Sequence, residues 1–282
     1  MTATPLSGKE LAAAIRADTA AEAAALTAAG TPPKLAVVVA TADESSAWYV
    51  RSIARAAAKA GIGCDIVDLG EHAAPGAIRA KLAELSADAG VHGIILQTPL
   101  PNGAALEELA GAIAFEKDVD GANPLSLGRL AAGLPAFAPA TAEAVVRVLD
   151  HHRVELTGRH VAVVGRSNVV GKPAAHLLLD QNATVTVCHS RTKDLAAVTS
   201  AADVVVTAVG RANLIGAEHV RAGAVVVDVG TNPTEDGGLT GDVDAASVAE
   251  RAGALTPVPG GVGPVTTALL LQHTVRAAAG AS

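Results

Sequence analysis

Short uncharged runs of β-branched and alanine residues alternate with helical segments along most of the chain. Leu35–Ala40 and Val161–Val164 are clear examples, since neither contains a charged residue. Runs of this kind are typical of strands that are buried on both faces of a parallel sheet. Because parallel strands require long crossover connections, the alternation predicts an α/β protein whose sheets are covered by helices.

Two stretches interrupt this alternation. Lys117–Leu130 is polar, carries glycine and shows little periodicity, which predicts a loop. Thr256–Pro264 is too rich in proline and glycine for a helix or strand, so we predict a loop that leads into a final helix from about Thr266. The 282 residues suffice for two domains. With one Trp, one Tyr and two Phe, their cores must be built from aliphatic side chains.

Charge and cysteine usage exclude several classes of protein. A formal net charge of −7 and a pI near 5.7 do not favour binding to nucleic acid. No apolar run approaches the roughly 20 residues of a membrane span, and the N-terminus lacks a secretion signal. Cys64 and Cys188 lie in predicted buried strands, and no Cys/His cluster has zinc spacing. We expect a reduced, cytoplasmic protein with no metal and no membrane or nucleic-acid partner.

A strand, a glycine turn and a helix start follow one another in Arg159–Pro173. Gly165 ends the strand, and Gly171 lies where the helix is predicted to begin. This half of a βαβ unit can hold an anion on exposed backbone N–H groups. The dinucleotide-binding fingerprint is only partly met, because Ser167 and Val170 stand at its second and third glycine positions. An ordinary strand-to-helix turn is therefore the alternative interpretation.

The next predicted strand, Ala183–Cys188, lacks the acidic residue that NAD sites place at its end to bind the ribose. The chain continues instead with His189, Ser190 and Arg191. The guanidinium groups of Arg191 and Arg166 suit the additional phosphate of NADP. The sequence therefore favours NADP over NAD.

Several further stretches match the motifs of one known family. The matching segments are Leu6–Lys9, Lys117–Gly121, Val163–Pro173, Thr186–Thr192, Asp228–Asn232, Gly241–Asp244 and Thr256–Pro264. Together they resemble the bifunctional methylenetetrahydrofolate dehydrogenase/cyclohydrolases over essentially the whole chain. The glycine- and proline-rich stretch near the C-terminus and the K-D-V-D-G segment are the most specific of them.

The resemblance implies two α/β domains with a cleft between them. It places a folate-binding catalytic domain at residues 1–140, completed by the C-terminal helix at 265–282. It places a Rossmann-type NADP-binding domain at residues 141–264. A homodimer that pairs through the NADP domains is also implied, as is a tetrahydrofolate derivative as the substrate.

The resemblance further implies the site residues. The catalytic residues are Tyr49, Gln97 and Asp120, the last of which binds the pterin ring. The substrate-binding residues are Tyr49, Gln97, Pro99, Leu100, Asp120, Gly260, Gly261, Val262 and Pro264. The cofactor-binding residues are Gly165, Arg166, Ser167, Val170, His189, Ser190, Arg191, Gly210, Gly230, Thr231 and Thr267.

One position departs from the family pattern. The family carries Tyr-x-x-x-Lys on the helix after the first strand, whereas this chain has Tyr49 and Ile53. Residues four apart share a helix face, so the two side chains should point into one place. Ile53, however, can carry neither a proton nor a charge. Arg51 and Arg55 point elsewhere around the helix, so neither is an easy substitute.

The two reactions of the family make different demands on this position. Hydride transfer from the methylene carbon to NADP mainly needs alignment of two carbon atoms. Hydrolysis of the methenyl product needs a positioned acid or base, and the family assigns that work to the lysine. We therefore predict a methylenetetrahydrofolate dehydrogenase whose cyclohydrolase activity is lost or strongly reduced.

Two other functions stay open. The first is a complete bifunctional enzyme, in which a basic side chain reaches round the helix or Tyr49 alone suffices. The second is a non-catalytic paralogue that binds NADP or folate. Plainer roles also exist for single residues: capping of a loop for Asp120, a hydrogen bond at a strand end for Gln97, and packing for Tyr49.

Overall fold

The computed structural model describes residues 2–234 and 237–280. The chain forms two compact units, which we call the N-terminal unit, residues 13–140 with 267–282, and the central unit, residues 1–12 with 141–266. The described residues leave out residue 1 and residues 281–282, which end the predicted folate-binding ranges 1–140 and 265–282. They also leave out residues 235–236, which belong to the predicted NADP-binding range 141–264.

Helices and parallel strands alternate along the chain, which confirms the α/β prediction. The helices are α1 (Lys9–Ala28), α2 (Glu44–Lys59), α3 (Pro75–Ala87), α4 (Leu106–Ala110), α5 (Pro124–Ala131), α6 (Ala140–His151), α7 (Gly171–Asp180), α8 (Leu195–Thr199), α9 (Ala245–Ala249) and α10 (Val262–Ala278). The strands are β1 (Thr4–Pro5), β2 (Lys34–Val39), β3 (Gly63–Asp68), β4 (Gly93–Leu96), β5 (His160–Val164), β6 (Thr184–Cys188), β7 (Val204–Thr207), β8 (Val225–Asp228), β9 (Asn232–Pro233), β10 (Leu239–Thr240) and β11 (Ala254–Leu255). Within the described part of the chain, every helix is too short or too polar to cross a membrane.

The N-terminal unit contains a three-stranded parallel sheet in the order β3-β2-β4. The central strand β2 is almost wholly buried, as its apolar run predicts. Ile78 and Leu82 of α3 pack against this sheet in one hydrophobic core with Val38 and Ile94. The edge strand β3 is largely exposed. Cys64, predicted to lie in a buried strand, is therefore only half-buried, because an edge strand has a neighbour on one side only.

The central unit contains a six-stranded parallel sheet in the order β1-β11-β8-β7-β5-β6. Its four longer strands are mainly valine, and small aliphatic side chains such as Ala162, Val205 and Val226 fill the core. Thr4 of β1 pairs with Ala254 of β11, which places residues 1–12 in this unit. The predicted first domain, 1–140, groups those residues with the other unit instead.

Two predicted loops turn out to contain helical residues. Lys117–Leu130 includes most of α5, whose N-cap is Asn123 with its side-chain oxygen 2.8 Å from the Leu125 nitrogen. The final helix begins at Val262 rather than near Thr266, since proline is compatible with the first turn of a helix. In both stretches the polar, glycine or proline residues that predict irregular chain are also compatible with the first turn of a helix.

Candidate functional site

Helix α2 carries both Tyr49 and Ile53. Its N-cap is Asp43, whose carboxylate accepts a hydrogen bond of 2.7 Å from the Ser46 nitrogen. The buried positions of α2 recur every three or four residues and form one stripe: Ser46, Val50, Ile53 and Ala57. Ile53 is 0% exposed, whereas Tyr49 is only half-buried at the margin of the stripe. The two side chains share a helix face, but Ile53 belongs to the hydrophobic core.

Tyr49 faces the last helix of the chain. Its phenol lies near the hydroxyl of Thr267 on α10, within the N-terminal unit, and this neighbour favours the ionised phenol. Burial, followed by the nearby carboxylate of Asp120, raises the pKa of Tyr49 above its usual value. The phenol is therefore neutral at physiological pH. It can donate or accept a hydrogen bond, but it does not supply a phenolate base.

Asp120 lies in a tight turn of the N-terminal unit. Gly121, which follows it, has a φ of 62°, and a Cβ atom there would lie 2.5 Å from the Pro139 nitrogen. Burial and then the carboxylate of Asp118 raise the pKa of Asp120 to about 7, although His273 and the N–H of Ala140 act in the opposite direction. Asp120 therefore exchanges its proton near neutral pH.

Asp118, rather than Asp120, is the main loop-capping carboxylate. It accepts hydrogen bonds from the nitrogens of Ala122 at 3.0 Å and Asn123 at 2.8 Å. The hydroxyl of Ser126 donates a third bond of 2.6 Å. Asp118 is completely buried, so these three donors offset the loss of its hydration. Asp120 has a smaller structural part, and the N–H of Ala140 is the backbone group that favours its ionised form.

Gln97 stands at the end of β4 and begins the loop that contains Pro99 and Leu100. Its side-chain nitrogen donates a hydrogen bond of 2.7 Å to the carbonyl of Thr98. The hydroxyl of Ser46 on α2 donates to the same carbonyl at 3.0 Å. This loop is thereby fastened to the helix that carries Tyr49, and the hydrogen-bonding role considered for Gln97 is present.

Most of the predicted cofactor residues meet at one edge of the central unit. They follow the carboxyl ends of β5, β6, β7 and β8, which are neighbours in a parallel sheet. In α/β sheets, ligands bind at this edge. The residues it brings together are Gly165, Arg166, Ser167 and Val170 after β5, His189, Ser190 and Arg191 after β6, Gly210 after β7, and Gly230 and Thr231 after β8. Thr267 lies in the N-terminal unit, near Tyr49, and not at this edge.

The turn after β5 has room for glycine only. Gly165 has a φ of 128°, and a Cβ atom there would lie 2.3 Å from the Ala208 carbonyl oxygen. A Cβ atom on Gly171 would lie 2.2 Å from the Gly165 carbonyl oxygen. The hydroxyl of Ser167 accepts a hydrogen bond of 3.1 Å from the Val170 nitrogen and so orders the turn. Such close approach of backbone segments fits a dinucleotide-binding turn.

Gly165→Ala is expected to unfold more readily and to lose most of its NADP affinity. The added Cβ atom would clash with the Ala208 carbonyl, and residue 165 would also have to keep a left-handed φ. Together these effects should cost about 2–4 kcal/mol of unfolding free energy. Gly128→Ala is the control, since a Cβ atom in that helix meets nothing within 4 Å. Thermal denaturation with and without NADP measures both effects. Equal midpoints for the two variants would show that the turn tolerates a side chain.

The strand end after β6 presents cationic groups. The His189 Nδ1 atom accepts a hydrogen bond of 3.1 Å from the Arg191 nitrogen, so neutral His189 carries its proton on Nε2. Arg166 and Arg191 are exposed, and neither forms an ion pair within residues 2–234 and 237–280. These two guanidinium groups remain available for an anionic ligand, which agrees with the predicted preference for NADP.

Two buried carboxylates that the sequence analysis did not assign shape this edge. Asp242 accepts hydrogen bonds from the backbone of the loop after β7, from Val209 at 2.7 Å and from Arg211 at 2.8 Å, and from the side chain of Asn232 after β8 at 3.0 Å. Asp228 accepts from the nitrogen of Asp242 at 3.0 Å. Asp242 lies in the matched motif G-D-V-D and Asp228 in the matched motif D-V-G-T-N. Membership of these motifs is the feature of the sequence that could have indicated a role for both.

The remaining predicted substrate residues, Gly260, Gly261, Val262 and Pro264, lie in the central unit. The nitrogen of Gly8 donates a hydrogen bond of 3.0 Å to the Gly260 carbonyl. A Cβ atom on Gly8 would lie 2.1 Å from the Gly261 carbonyl oxygen. The first and last matched motifs of the chain are therefore packed against each other.

Two models of one protein family match the chain. The model described as "Tetrahydrofolate dehydrogenase/cyclohydrolase, catalytic domain" matches residues 6–120. The model described as "Tetrahydrofolate dehydrogenase/cyclohydrolase, NAD(P)-binding domain" matches residues 139–282. Between them they account for most of both units.

Individual relatives extend this similarity over the full chain. Bifunctional protein FolD 1 of Saccharopolyspora erythraea is 69% identical over 273 residues, which are 97% of this chain and 93% of the relative. The crystal structure of the bifunctional FolD methylenetetrahydrofolate dehydrogenase/cyclohydrolase of Campylobacter jejuni is 39% identical, with a TM-score of 0.94 over 98% of this chain and 99% of that one. FolD of Trypanosoma brucei, solved with NADP and an inhibitor, is 35% identical, with a TM-score of 0.93 over 99% of this chain and 98% of that one.

Proposed function

We propose, since the chain belongs to the tetrahydrofolate dehydrogenase/cyclohydrolase family, that it oxidises 5,10-methylenetetrahydrofolate with NADP and retains little or no cyclohydrolase activity. The enzyme is a methylenetetrahydrofolate dehydrogenase of one-carbon metabolism, and NADP is its cofactor. The loss of the second activity is the part that rests on this chain's own residues. Complete burial of Ile53 at the family's lysine position is the observation that carries it.

In the proposed assignment, residues 1–140 with 265–282 bind folate and residues 141–264 bind NADP. Tyr49, Gln97 and Asp120 hold the pterin, assisted by Pro99 and Leu100 and by the glycine loop: Gly260, Gly261, Val262 and Pro264. The glycine turn, the strand ends and the two exposed guanidinium groups bind NADP, and Thr267 is assigned to the same set. NADP, when bound, accepts the hydride.

Hydride removal asks little of the protein beyond alignment. The N5 and N10 lone pairs of the folate stabilise the cation that forms, and no proton leaves in this step. An ionised Asp120 accepts hydrogen bonds from the N3–H and 2-amino groups of a pterin ring. Its negative charge also favours the developing cation. The hydrocarbon side chain of Ile53 does not oppose either effect.

Hydrolysis of the methenyl group requires proton transfer in addition to alignment. Water must add to the methenyl carbon, and protons must move as the ring opens, which requires a positioned acid or base. Ile53 has no ionisable group, and the raised pKa of Tyr49 keeps its phenol protonated, so that no phenolate is present to accept a proton. The amide of Gln97 already donates to the Thr98 carbonyl. The three side chains offer no strong proton acceptor for this step.

A fully bifunctional enzyme is the second candidate. Asp120 favours it, because a carboxyl group with a pKa of about 7 can exchange a proton at neutral pH. The relatives from Saccharopolyspora erythraea and Campylobacter jejuni are called bifunctional, which points the same way. A non-catalytic paralogue that binds NADP or folate is the third candidate, and turnover separates it from the other two.

Purified enzyme with methylenetetrahydrofolate and NADP tests these candidates. We expect NADPH to form while the methenyl product accumulates and decays only at its spontaneous rate. Consumption of methenyltetrahydrofolate above that rate would establish the bifunctional alternative. NADP binding without turnover would leave the non-catalytic paralogue.

The proposed setting is the cytoplasm, and the proposed assembly is a homodimer that pairs through the central units. Leu179 on α7 is 60% exposed and Val187 on the edge strand β6 is 40% exposed. Exposed apolar side chains at an unpaired strand edge favour contact with a second copy. Sedimentation equilibrium would reject the assembly if the protein stays monomeric at micromolar concentration.

A further inference from the structure

The loop after β7 directs its backbone N–H groups into the protein. Residues 209–211 are exposed, yet each of their nitrogens donates a hydrogen bond to the side chain of Asp242. The distances are 2.7 Å for Val209, 3.1 Å for Gly210 and 2.8 Å for Arg211. Asp242 is 0% exposed and belongs to the same central unit. Successive N–H groups that converge in this way form a nest that can bind an anion such as phosphate. In this loop a side chain of the protein occupies the nest.

The direction of these N–H groups also determines the direction of the carbonyl groups. In a planar trans peptide, the C=O of one residue points opposite to the N–H of the next. With the three nitrogens drawn toward Asp242, the carbonyl oxygens of Ala208, Val209 and Gly210 point away from it. The Ala208 carbonyl shows this independently, because it lies against Gly165, where a Cβ atom would clash with it. The carbonyl side of the loop therefore faces the glycine turn after β5.

Asp242 is itself held in place by neighbouring segments of the central unit. The side chain of Asp228, at the end of β8, accepts hydrogen bonds of 3.0 Å from the nitrogens of Asp242 and Val243. The Ile215 nitrogen donates to the Asp242 carbonyl at 3.0 Å. The side-chain amide of Asn232 donates to the Asp242 side chain at 3.0 Å. Because Asp242 is completely buried among these groups, it can act on a ligand only through the loop that it holds.

We propose that Asp242 is a positioning residue for NADP binding, which turns the carbonyl side of this loop toward the cofactor. The loop then accepts hydrogen bonds from N–H and O–H groups of NADP, which are found in its ribose hydroxyls, its adenine amine and its carboxamide. The phosphates of NADP are left to the turn after β5 and to Arg166 and Arg191. This inference rests on the proposed function, because it takes Gly210 as a residue that binds NADP.

Asp242→Asn removes half of the acceptor that holds the loop. One side-chain oxygen of Asp242 accepts from Val209 and Gly210, and the other accepts from Arg211 and Asn232. The variant keeps one oxygen, and its NH2 group must face the other pair of donors. We expect the KM for NADP to rise about 10-fold, the equivalent of one net hydrogen bond. The kcat at saturating NADP and the KM for methylenetetrahydrofolate should stay at the parent values.

Two control variants separate this role from a general loss of stability. Asp244→Asn makes the same change two positions further on, where the side chain caps α9 by accepting from the Ser247 nitrogen at 3.4 Å. Asn232→Ala removes the side-chain donor to Asp242 but leaves the three loop N–H groups in place. Both should keep the parent KM for NADP, even where the melting temperature falls. A rise in either control as large as that of Asp242→Asn would overturn the proposal.

Amide hydrogen exchange of the parent without NADP tests the loop even if Asp242→Asn does not fold. The amides of residues 209–211 should exchange slowly although the residues are exposed, because their N–H groups are bonded to a buried acceptor. NMR spectroscopy resolves the three amides individually. Exchange at all three as fast as in an unbonded surface loop would overturn the proposal.

Calorimetric titration with NADP keeps the test independent of turnover. Weaker NADP binding by Asp242→Asn than by the parent and the two controls supports the role of Asp242, even if the parent proves inactive as a dehydrogenase. Equal affinities in Asp242→Asn and the parent would overturn this inference and leave the proposed function in place. Failure of the parent to bind NADP would overturn both.

Discussion

Ile53→Lys is expected to raise the enzymatic hydrolysis of methenyltetrahydrofolate by about 100-fold, because it returns an acid/base group to the helix beside Tyr49. Ile53 is completely buried, so a lysine there loses hydration and its pKa falls from the ordinary value toward neutrality. A base with a pKa near the working pH is the most effective one. The methenyl assay of purified variant and parent, corrected for spontaneous hydrolysis, measures the gain.

Burial of the new side chain also has a cost. We expect the variant to lose about 2–4 kcal/mol of unfolding free energy, since an amine replaces a core methyl group. Ile53→Met is the matched control, because methionine is unbranched like lysine but has no ionisable group. Hydrolysis by this variant should stay at the parent rate. If Ile53→Lys folds, oxidises methylenetetrahydrofolate and still shows no hydrolysis, another feature of the site is responsible.

Asp120→Asn is expected to lower kcat/KM for methylenetetrahydrofolate by roughly 100-fold, because a charged acceptor that binds two N–H groups is replaced by a neutral one. The affinity for NADP should not change. Initial rates over a range of folate concentrations, and a separate NADP titration, measure the two effects. A loss in both would indicate a general disturbance of the fold rather than the loss of a pterin ligand.

The same variant should be more stable than the parent at alkaline pH. The pKa of Asp120 is raised in the folded state to about 7, above its ordinary value of 3.8. Between these two values the folded state binds more protons than the unfolded state, so the stability of the parent falls as the pH rises. Asn does not titrate, and the difference in melting temperature should therefore widen from pH 5 to pH 8. Asp118→Asn is the contrast, since its amide nitrogen cannot accept the hydrogen bonds that reach one of the two carboxylate oxygens, and it should destabilise the fold at every pH.

Much of the fold follows from local patterns. The strand in Val161–Val164 and the glycine turn at Gly165 are predictable because burial on two faces demands an apolar run and a left-handed turn demands glycine. Helix starts are harder, because Asn and Pro mark both loops and first turns, as at Asn123 and Pro264. The sequence predicts that Cys64 lies in a strand. Its exposure, however, depends on β3 being an edge strand, which is a property of the assembled sheet.

In the candidate site, too, local spacing predicts some features, whereas others depend on contacts between distant parts of the chain. Spacing alone predicts that Tyr49 and Ile53 share a helix face, but the complete burial of Ile53 depends on what packs against α2. Asp242 is more than thirty positions from the backbone groups at Val209 and Arg211 that it binds. Its role therefore appears only once the strands are adjacent. His273 approaches Val119 across a still longer separation in the chain, and no local pattern indicates that contact.

The pairing of β1 with β11 determines when the sheet of the central unit can be completed during synthesis. The strands of the N-terminal unit's sheet, Lys34–Val39, Gly63–Asp68 and Gly93–Leu96, emerge from the ribosome within one early stretch. The sheet of the central unit, in contrast, is completed only when Thr4 pairs with Ala254, which is synthesised about 250 residues later. Domains fold as units during synthesis, and contacts between distant residues form slowly. The first strand of the chain is thus among the last to find its place, and a nascent chain halted before Ala254 should carry an incomplete central sheet beside an assembled N-terminal one.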